Sequence, residues 1–328
     1  MDRTVLFVGV TTGQSIINRL FPRWMDEMGI AARIEGVDLP LDAGPHLYRA
    51  VVERIAGDGR IAGAVVTTHK LRLYEAAHDL FAGADPLATL CREVNGISKR
   101  GTELIAHALD PLSCRATLDT MLGAAYWIDH DADVLCLGTG GAATAVAVSL
   151  LCDLEAGCGE LAPSRAIPHR LLFVDIEEAR LRGLRRVIET ARPDAPVEYH
   201  NHESSAQNGA LLQSLAPESL VINATGMGKD RPGSPLTSAA TFPECAVVWD
   251  LNYRGRLTFL NQAGVQQRSR RLQVHDGWLL FLHGWTAALS VVLSCDMAGS
   301  MFPRLAAIAE EVRANTQLPL HGTGRSQT

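Results

Sequence analysis

The chain has 328 residues, 47% of them hydrophobic, with a formal net charge of −6. That length can bury a substantial core and points to two domains, while the acidic balance leaves no basic field for nucleic acid. Seven cysteines, scattered and without a C-x-x-C pair, suit reduced thiols in a cytoplasm and exclude a disulfide framework or a zinc site. The first residues, Met1-Asp-Arg-Thr-Val, carry no long apolar signal region, so a cytoplasmic location is expected.

The first third alternates strand and helix. Thr4 to Val10 reads as a strand, and Ser15 to Met28 has a helical pattern with a break expected near Pro22. Ala32 to Leu39 is a second strand and His46 to Ala56 a helix. Ile61 to Thr68 is a third strand that runs directly into His69-Lys70. Val94 to Lys99 and Glu103 to Leu109 read as two strands joined by a turn at Arg100-Gly101-Thr102. Residues 1–114 are therefore read as one open α/β domain, which would hold the substrate.

A second pattern fills 115–276. Strands at 134–138, 170–175, 197–201, 220–225, 246–251 and 272–276 are separated by helical or loop segments, which predicts a six-stranded, mostly parallel sheet with helices on both faces. The apolar run Val134-Leu-Cys-Leu breaks into Gly138-Thr139-Gly140-Gly141-Ala142-Ala143 and re-emerges as an alanine- and valine-rich helix. Gly138, Gly140 and Ala143 fall on the three small positions of a dinucleotide turn, where the first permits the tight turn and the second lets a pyrophosphate approach the backbone. The third lets helix and strand pack closely. A phosphate there meets free N–H groups and the positive end of a helix dipole.

The next strand ends in Asp175, a carboxylate placed to accept from both ribose hydroxyls and to repel a 2′-phosphate. NAD is therefore expected over NADP. The alternative for Asp175 is a cap on the following helix. The spacing from Gly140 is longer than usual, and a glycine- and proline-bearing insertion between Cys152 and Pro168 absorbs the excess.

Asn223, Ala224, Thr225 and Met227 follow a strand of this sheet, where loops at strand C-termini line the cofactor crevice. His200-Asn-His202-Glu203 hints at a metal, but no further ligands come with it, and none is expected. The apolar stretch Gly277 to Met297 is interrupted by His283, Ser290 and Asp296, which favours a buried helix over a membrane span. It and Pro303 to Ala314 form a closing helical segment, 277–317, returning to the first domain, with 318–328 a frayed tail. A cleft between the domains is where substrate and cofactor would meet.

Taken in order, these pieces resemble the shikimate/quinate dehydrogenase family across nearly the whole chain. Gly9 through Ser15 is similar to its glycine-to-serine substrate loop, and Ala64-Val-Val-Thr-Thr-His-Lys70 to Asn-Val-Thr-x-Pro-x-Lys. Glu93-Val-Asn-Gly-Ile97 resembles Ala-Val-Asn-Thr, and Leu104 to Asp110 has the spacing of Leu-x-Gly-x-Asn-Thr-Asp. Leu137 to Ala143 resembles Gly-Ala-Gly-Gly-Ala-Ala, and Val221 to Gly228 resembles Ile-Asn-Ala-Thr-x-x-Gly-Met. Asp250 to Leu260 resembles the Asp-x-x-Tyr segment.

The resemblance implies a Rossmann-type NAD(P)-binding domain, with Lys70 and Asp110 as the catalytic pair. A lysine within reach of a substrate hydroxyl can take or relay its proton during hydride transfer. Ser15, Asn95, Tyr253 and either Thr67 or Thr68 would shape the substrate site. His283 stands nearest to the family's glutamine, or else is a core histidine. The departures fall on the substrate side, where Ile17 replaces a second serine and Ala108 and Leu109 replace the Asn-Thr before Asp110.

Each lost hydrogen-bonding group costs about 1–3 kcal/mol, so a substrate other than shikimate is expected. The partners are a small molecule and a dinucleotide, with no membrane and a monomer or homodimer as the state. A catalytically silent nucleotide-binding regulator of the same fold is the competing reading.

Overall fold

The computed structural model describes residues 3–154, 162–163, 166–229 and 231–316. The insertion read between Cys152 and Pro168 lies partly outside these residues, and the tail Leu318–Thr328 lies wholly outside them. The chain divides into two compact units, one of residues 3–113 with 282–316 and one of 114–154 with 162–281.

In the first unit, in chain order, come β1 (Arg3–Gly9), α1 (Ile17–Met28), β2 (Ala32–Asp38), α2 (Pro45–Gly57) and β3 (Ile61–Val66). Then follow α3 (Lys70–Ala77), β4 (Gly83–Ala84), α4 (Pro86–Cys91), β5 (Gly96–Arg100) and β6 (Glu103–His107). The sheet order is β2-β1-β3-β5-β6-β4. β1 runs parallel to β2 and β3, whereas β5 is antiparallel to both β3 and β6. This mixed pairing follows from the direct β5–β6 hairpin, which only antiparallel strands can make. Because β3 stops at Val66 and β6 at His107, residues 67–69 and 108–109 leave the sheet and carry the next helix start.

The helix expected from Ser15 begins two residues later, because Thr12–Gln14 first form a 3-10 turn. Nor does Pro22 break it: α1 continues through the proline to Met28. Ile17, Leu20, Phe21, Trp24 and Met25 are all buried on one face, each contributing about 1.5–3 kcal/mol, against a proline cost of roughly 3 kcal/mol. Trp24 Nε1 also donates to the Leu305 carbonyl at 2.9 Å.

The chain passes between units within α5 (Asp110–Leu122). The second unit then adds α6 (Tyr126–Asp129), β7 (Val134–Leu137), α7 (Gly141–Leu151), the short antiparallel pair β8 (Cys152–Asp153) and β9 (Ala162–Pro163), and β10 (Leu171–Asp175). It continues with α8 (Glu178–Ala191), β11 (Val197–Asn201), α9 (Ser205–Gln213), β12 (Leu220–Asn223), β13 (Val247–Asp250), α10 (Thr258–Arg270) and β14 (Gln273–His275).

Its sheet order is β11-β10-β7-β12-β13-β14, with every pair parallel. That is the doubly wound order 3-2-1-4-5-6, whose direction reverses at β7. β7, β10, β12 and β13 are buried along their whole length, as a parallel sheet covered on both faces requires. α7 is buried from Ala143 to Leu151, the reason its sequence is apolar all round.

The chain leaves this unit within α11 (Trp278–Leu293) and ends, among the described residues, with α12 (Phe302–Ala314). Among the described residues no helix is long and apolar enough to cross a membrane.

Candidate active site

Lys70 is the first residue of α3 and Asp110 the first of α5, each set there by a strand that has just ended. The Lys70 ammonium donates to Asp110 Oδ2 in a partly buried ion pair, with side chains 26% and 17% exposed. The other carboxylate oxygen, Oδ1, accepts from Asn95 Nδ2 at 2.5 Å, and Asn95 Oδ1 accepts from the Leu109 N–H at 2.8 Å. Asn95 is itself buried. Its amide therefore fixes Asp110, and the sequence had offered it only as a substrate anchor.

A second strut comes from Asp85. It caps α4 by accepting from the Ala88 N–H at 2.6 Å and also accepts from the Ala108 N–H at 3.3 Å. His107 Nδ1 lies 3.2 Å from Asp85 Oδ2, and His107 Nε2 lies 2.8 Å from Ser98 Oγ. The run 107–109 that presents Asp110 is thus held from both sides. The signal in sequence was Asp85-Pro86, an N-cap followed by proline; its contact with residue 108 is a product of the fold.

The other first-unit candidates are placed as follows. Thr67 donates its hydroxyl to the Val8 carbonyl at 3.2 Å, and its own carbonyl accepts from the Lys70 N–H at 3.2 Å. Thr68 is exposed. Ser15 is half-buried, its hydroxyl 3.4 Å from the Ile17 N–H.

Ile17, Ala108 and Leu109, expected to face the substrate, are core side chains. That expectation is corrected: Ile17 belongs to the buried face of α1, and Leu109 packs against Gly96. His283, on α11, stacks on Phe302 with ring centroids 4.0 Å apart, and its Nε2 has no hydrogen-bond partner. Burial pulls its pKa down to about 4. Its packing is that of a core histidine.

In the second unit the glycine turn sits at the point where strand order reverses. Gly138 has φ +97°, and a Cβ there would meet the Ala224 carbonyl at 2.8 Å, so only glycine fits. At Gly140 a Cβ would meet nothing within 4 Å. The turn therefore leaves open space before α7, whose first N–H groups, at Gly141 and Ala142, have no acceptor within the helix.

Asp175 is 7% exposed. Its Oδ2 accepts from both the N–H and the hydroxyl of Thr139, at 2.8 and 2.9 Å, and its Oδ1 accepts from the Glu177 N–H at 3.0 Å. The carboxylate thus holds the turn ahead of α8, whose N-cap is Glu177, and it also borders a cavity.

That cavity, about 340 Å³, is lined by the glycine turn from Gly138 to Gly140, by Asp175, and by Ala224, Thr225 and Met227. Arg180, Ser204, Asn208 and Arg231, which the sequence did not single out, also line it, as does His202, which was read there only against a metal. The signal for part of that wall was Ser204-x-x-Gln207, a capping box that opens α9.

Asn223 lies beneath the wall. Its Nδ2 donates to Asp250 Oδ1 at 3.1 Å and its Oδ1 accepts from the Thr225 hydroxyl at 2.7 Å, holding the loop that carries Thr225 and Met227. Burial pushes the Asp250 carboxyl up to about 7. Tyr253 packs against Phe281 and Trp278, centroids 4.8 and 5.6 Å away. His202 pairs with Asn208 and His200 with Glu198, and among the described residues no cluster of His, Cys, Asp or Glu is placed to hold a metal.

The open space at Gly140, the donors at the start of α7 and the carboxylate at the end of β10 fit a dinucleotide. No family model matches the sequence, and no curated protein sequence is significantly similar to it. Solved structures are similar over nearly the full length. Quinate dehydrogenase from Corynebacterium glutamicum in complex with NAD superimposes with a TM-score of 0.71 at 18% identity, covering 94% of this chain and 99% of that one.

The chain has the fold of shikimate and quinate dehydrogenases. A shikimate 5-dehydrogenase from Thermus thermophilus, in complex with NADP(H) and shikimate, gives 0.67 at 20% identity, covering 95% and 99% of the two chains. The ligand-free 5-ketofructose reductase of Gluconobacter sp. strain CHM43 gives 0.69 at 17%, covering 96% and 99%. The fold is thus shared by proteins named for different substrates.

Proposed function

We propose that the protein is an NAD-dependent dehydrogenase, moving a hydride between NAD and a secondary alcohol of a cyclic polyhydroxy carboxylate or related polyol other than shikimate. The observation that carries this is the Lys70–Asp110 pair, with Asn95 holding the carboxylate that holds the lysine. Bound at the glycine turn, the dinucleotide supplies the hydride acceptor or donor. Lys70 takes the hydroxyl proton as the alcohol is oxidised, or gives it as the ketone is reduced, and Asp110 fixes the position of its nitrogen.

NAD over NADP is supported by Asp175, whose negative charge at the end of β10 would repel a 2′-phosphate. A substrate other than shikimate is favoured only by what the motif lacks, the serine and asparagine that the family places at 17 and 108, since Ile17 and Ala108 themselves are core side chains. The Gluconobacter reductase widens the candidates to keto sugars.

The test is dinucleotide reduction by the purified chain with quinate, shikimate, their amino and deoxy analogues, and simple cyclic diols, together with the reverse reaction on 5-ketofructose. NAD and NADP are run in parallel. Turnover of a compound other than shikimate, faster with NAD, is expected. Full activity with shikimate would remove the substrate assignment, and silence across the panel with NAD still binding would favour a regulator.

A further inference from the structure

Glu93 follows α4 and stands two residues before Asn95, in a position the resemblance gives to alanine. It is 1% exposed, and neither carboxyl oxygen has a hydrogen-bond partner. A buried carboxylate with no donor is expensive to ionise. The two residues after Glu93 tie it to the pair: the Val94 N–H donates to the Lys70 carbonyl at 3.3 Å, and Asn95 Nδ2 donates to Asp110 Oδ1 at 2.5 Å. The charged groups acting on Glu93 are therefore Asp110, at the start of α5, and Lys70, at the start of α3. Burial is the largest influence and Asp110 reinforces it, while Lys70 opposes both; together they push the Glu93 carboxyl up to about 8. At neutral pH the three groups are then a neutral acid beside an ion pair, with no net charge.

We propose that Glu93 is a third ionisable member of the Lys70–Asp110 cluster, a positioning residue whose proton sets how tightly Lys70 holds its own. This rests on the reading of Lys70 as the acid/base group. In alcohol oxidation the substrate carbon gives its hydride to the dinucleotide, and the hydroxyl gives its proton to a neutral Lys70 amine, leaving a ketone and an ammonium. Ketone reduction begins from the ammonium and runs the same transfers backwards. While Glu93 keeps its proton, one carboxylate, Asp110, faces the ammonium. Once Glu93 loses it, two carboxylates hold the ammonium and the neutral amine becomes harder to form. Glu93 therefore biases the site toward reduction as the solution turns alkaline.

The chain has three lysines, Lys70, Lys99 and Lys229, so NMR of protein labelled with 15N-lysine can follow the Lys70 nitrogen, with the other two as references. In Glu93→Gln, which mimics the neutral acid, Lys70 should lose its proton about one pH unit lower than in the wild type. Coincident titrations would overturn the proposal.

The wild type alone provides a second check should the variant fail to fold. With 13C-glutamate labelling, one carboxyl should titrate near 8, and a midpoint for Glu93 in the ordinary glutamate range would overturn it. With an active substrate, the rise of the oxidation rate with pH should begin lower by the same interval in Glu93→Gln, and an unmoved rise would overturn it. Absence of any turnover would remove the dehydrogenase reading, while the lysine titration would still decide for or against Glu93.

Discussion

Thr139 donates both its backbone N–H and its hydroxyl to a single oxygen of Asp175, at 2.8 and 2.9 Å. The acid at the end of β10 thereby locks the middle of the glycine turn at the end of β7. One carboxylate shapes the turn that would hold the pyrophosphate and, in the proposed reading, would also face the ribose with its negative charge.

Asp175→Ala should therefore do two things. It leaves two N–H groups and a hydroxyl without their acceptor, at about 1–3 kcal/mol for each buried group, so the melting temperature should fall. It also removes the charge that disfavours a 2′-phosphate, so the ratio of NADP to NAD affinity should rise. Calorimetric titration of both dinucleotides checks this, and an unchanged ratio would mean that the carboxylate serves the turn alone.

At Gly138, alanine has to adopt φ +97° and bring its Cβ against the Ala224 carbonyl. Strain of this kind costs about 1–3 kcal/mol. Gly138→Ala should lower the melting temperature and weaken NAD binding, whereas Gly140→Ala, with open space at its Cβ position, should weaken binding with little change in melting. Thermal scans with and without NAD separate the two.

Asn95→Leu removes the donor to Asp110 and the acceptor of the Leu109 N–H. With Asp110 free to turn, kcat should fall at least about tenfold, the equivalent of one hydrogen bond of about 1.4 kcal/mol. NAD affinity should be unchanged. A variant with normal kcat would show that Asp110 needs no such support.

His283 gives an acid-side signature. Its folded pKa of about 4 lies below the unfolded value of 6.5, so folding favours the neutral ring. The stability it contributes is complete above the unfolded value and is lost as pH falls from 6.5 toward 4. Over that window the wild type should lose about 3 kcal/mol that His283→Phe retains, because phenylalanine keeps the stacking on Phe302 without the proton. Denaturant melts at several pH values give the comparison, and parallel curves would contradict it.

The architecture was legible where pattern and chemistry coincide. β7, the glycine turn and α7 form an apolar run, a break and a small-residue helix, and each of these has a physical reason to look as it does. The six strands of the second sheet were all placed, within a residue or two at their ends. Pro22 misled, because local propensity lost to the buried face it interrupts.

In the candidate site, the pairing of Lys70 with Asp110 was legible only through the order of motifs, since 40 residues separate them. Asp85 and Glu93 beside that pair, and His202 and Arg231 at the cavity, were not legible in those places. Each reaches its place through a strand crossover or a loop, and spacing along the chain carries no trace of that. Ile17 and Leu109 failed in the opposite sense, because an apolar residue in a substrate motif reads the same whether it faces ligand or core.

Lys70→Ala compared with wild type in single-turnover hydride transfer, on whichever alcohol the substrate panel identifies, is the decisive measurement. Absorbance of the reduced dinucleotide reports the transfer, with NAD affinity measured alongside. A loss of roughly 10²–10⁴-fold in rate at unchanged NAD affinity is expected if Lys70 handles the hydroxyl proton. A variant that transfers hydride at the wild-type rate would show that the proton leaves by another route and that the Lys70–Asp110 pair serves the fold.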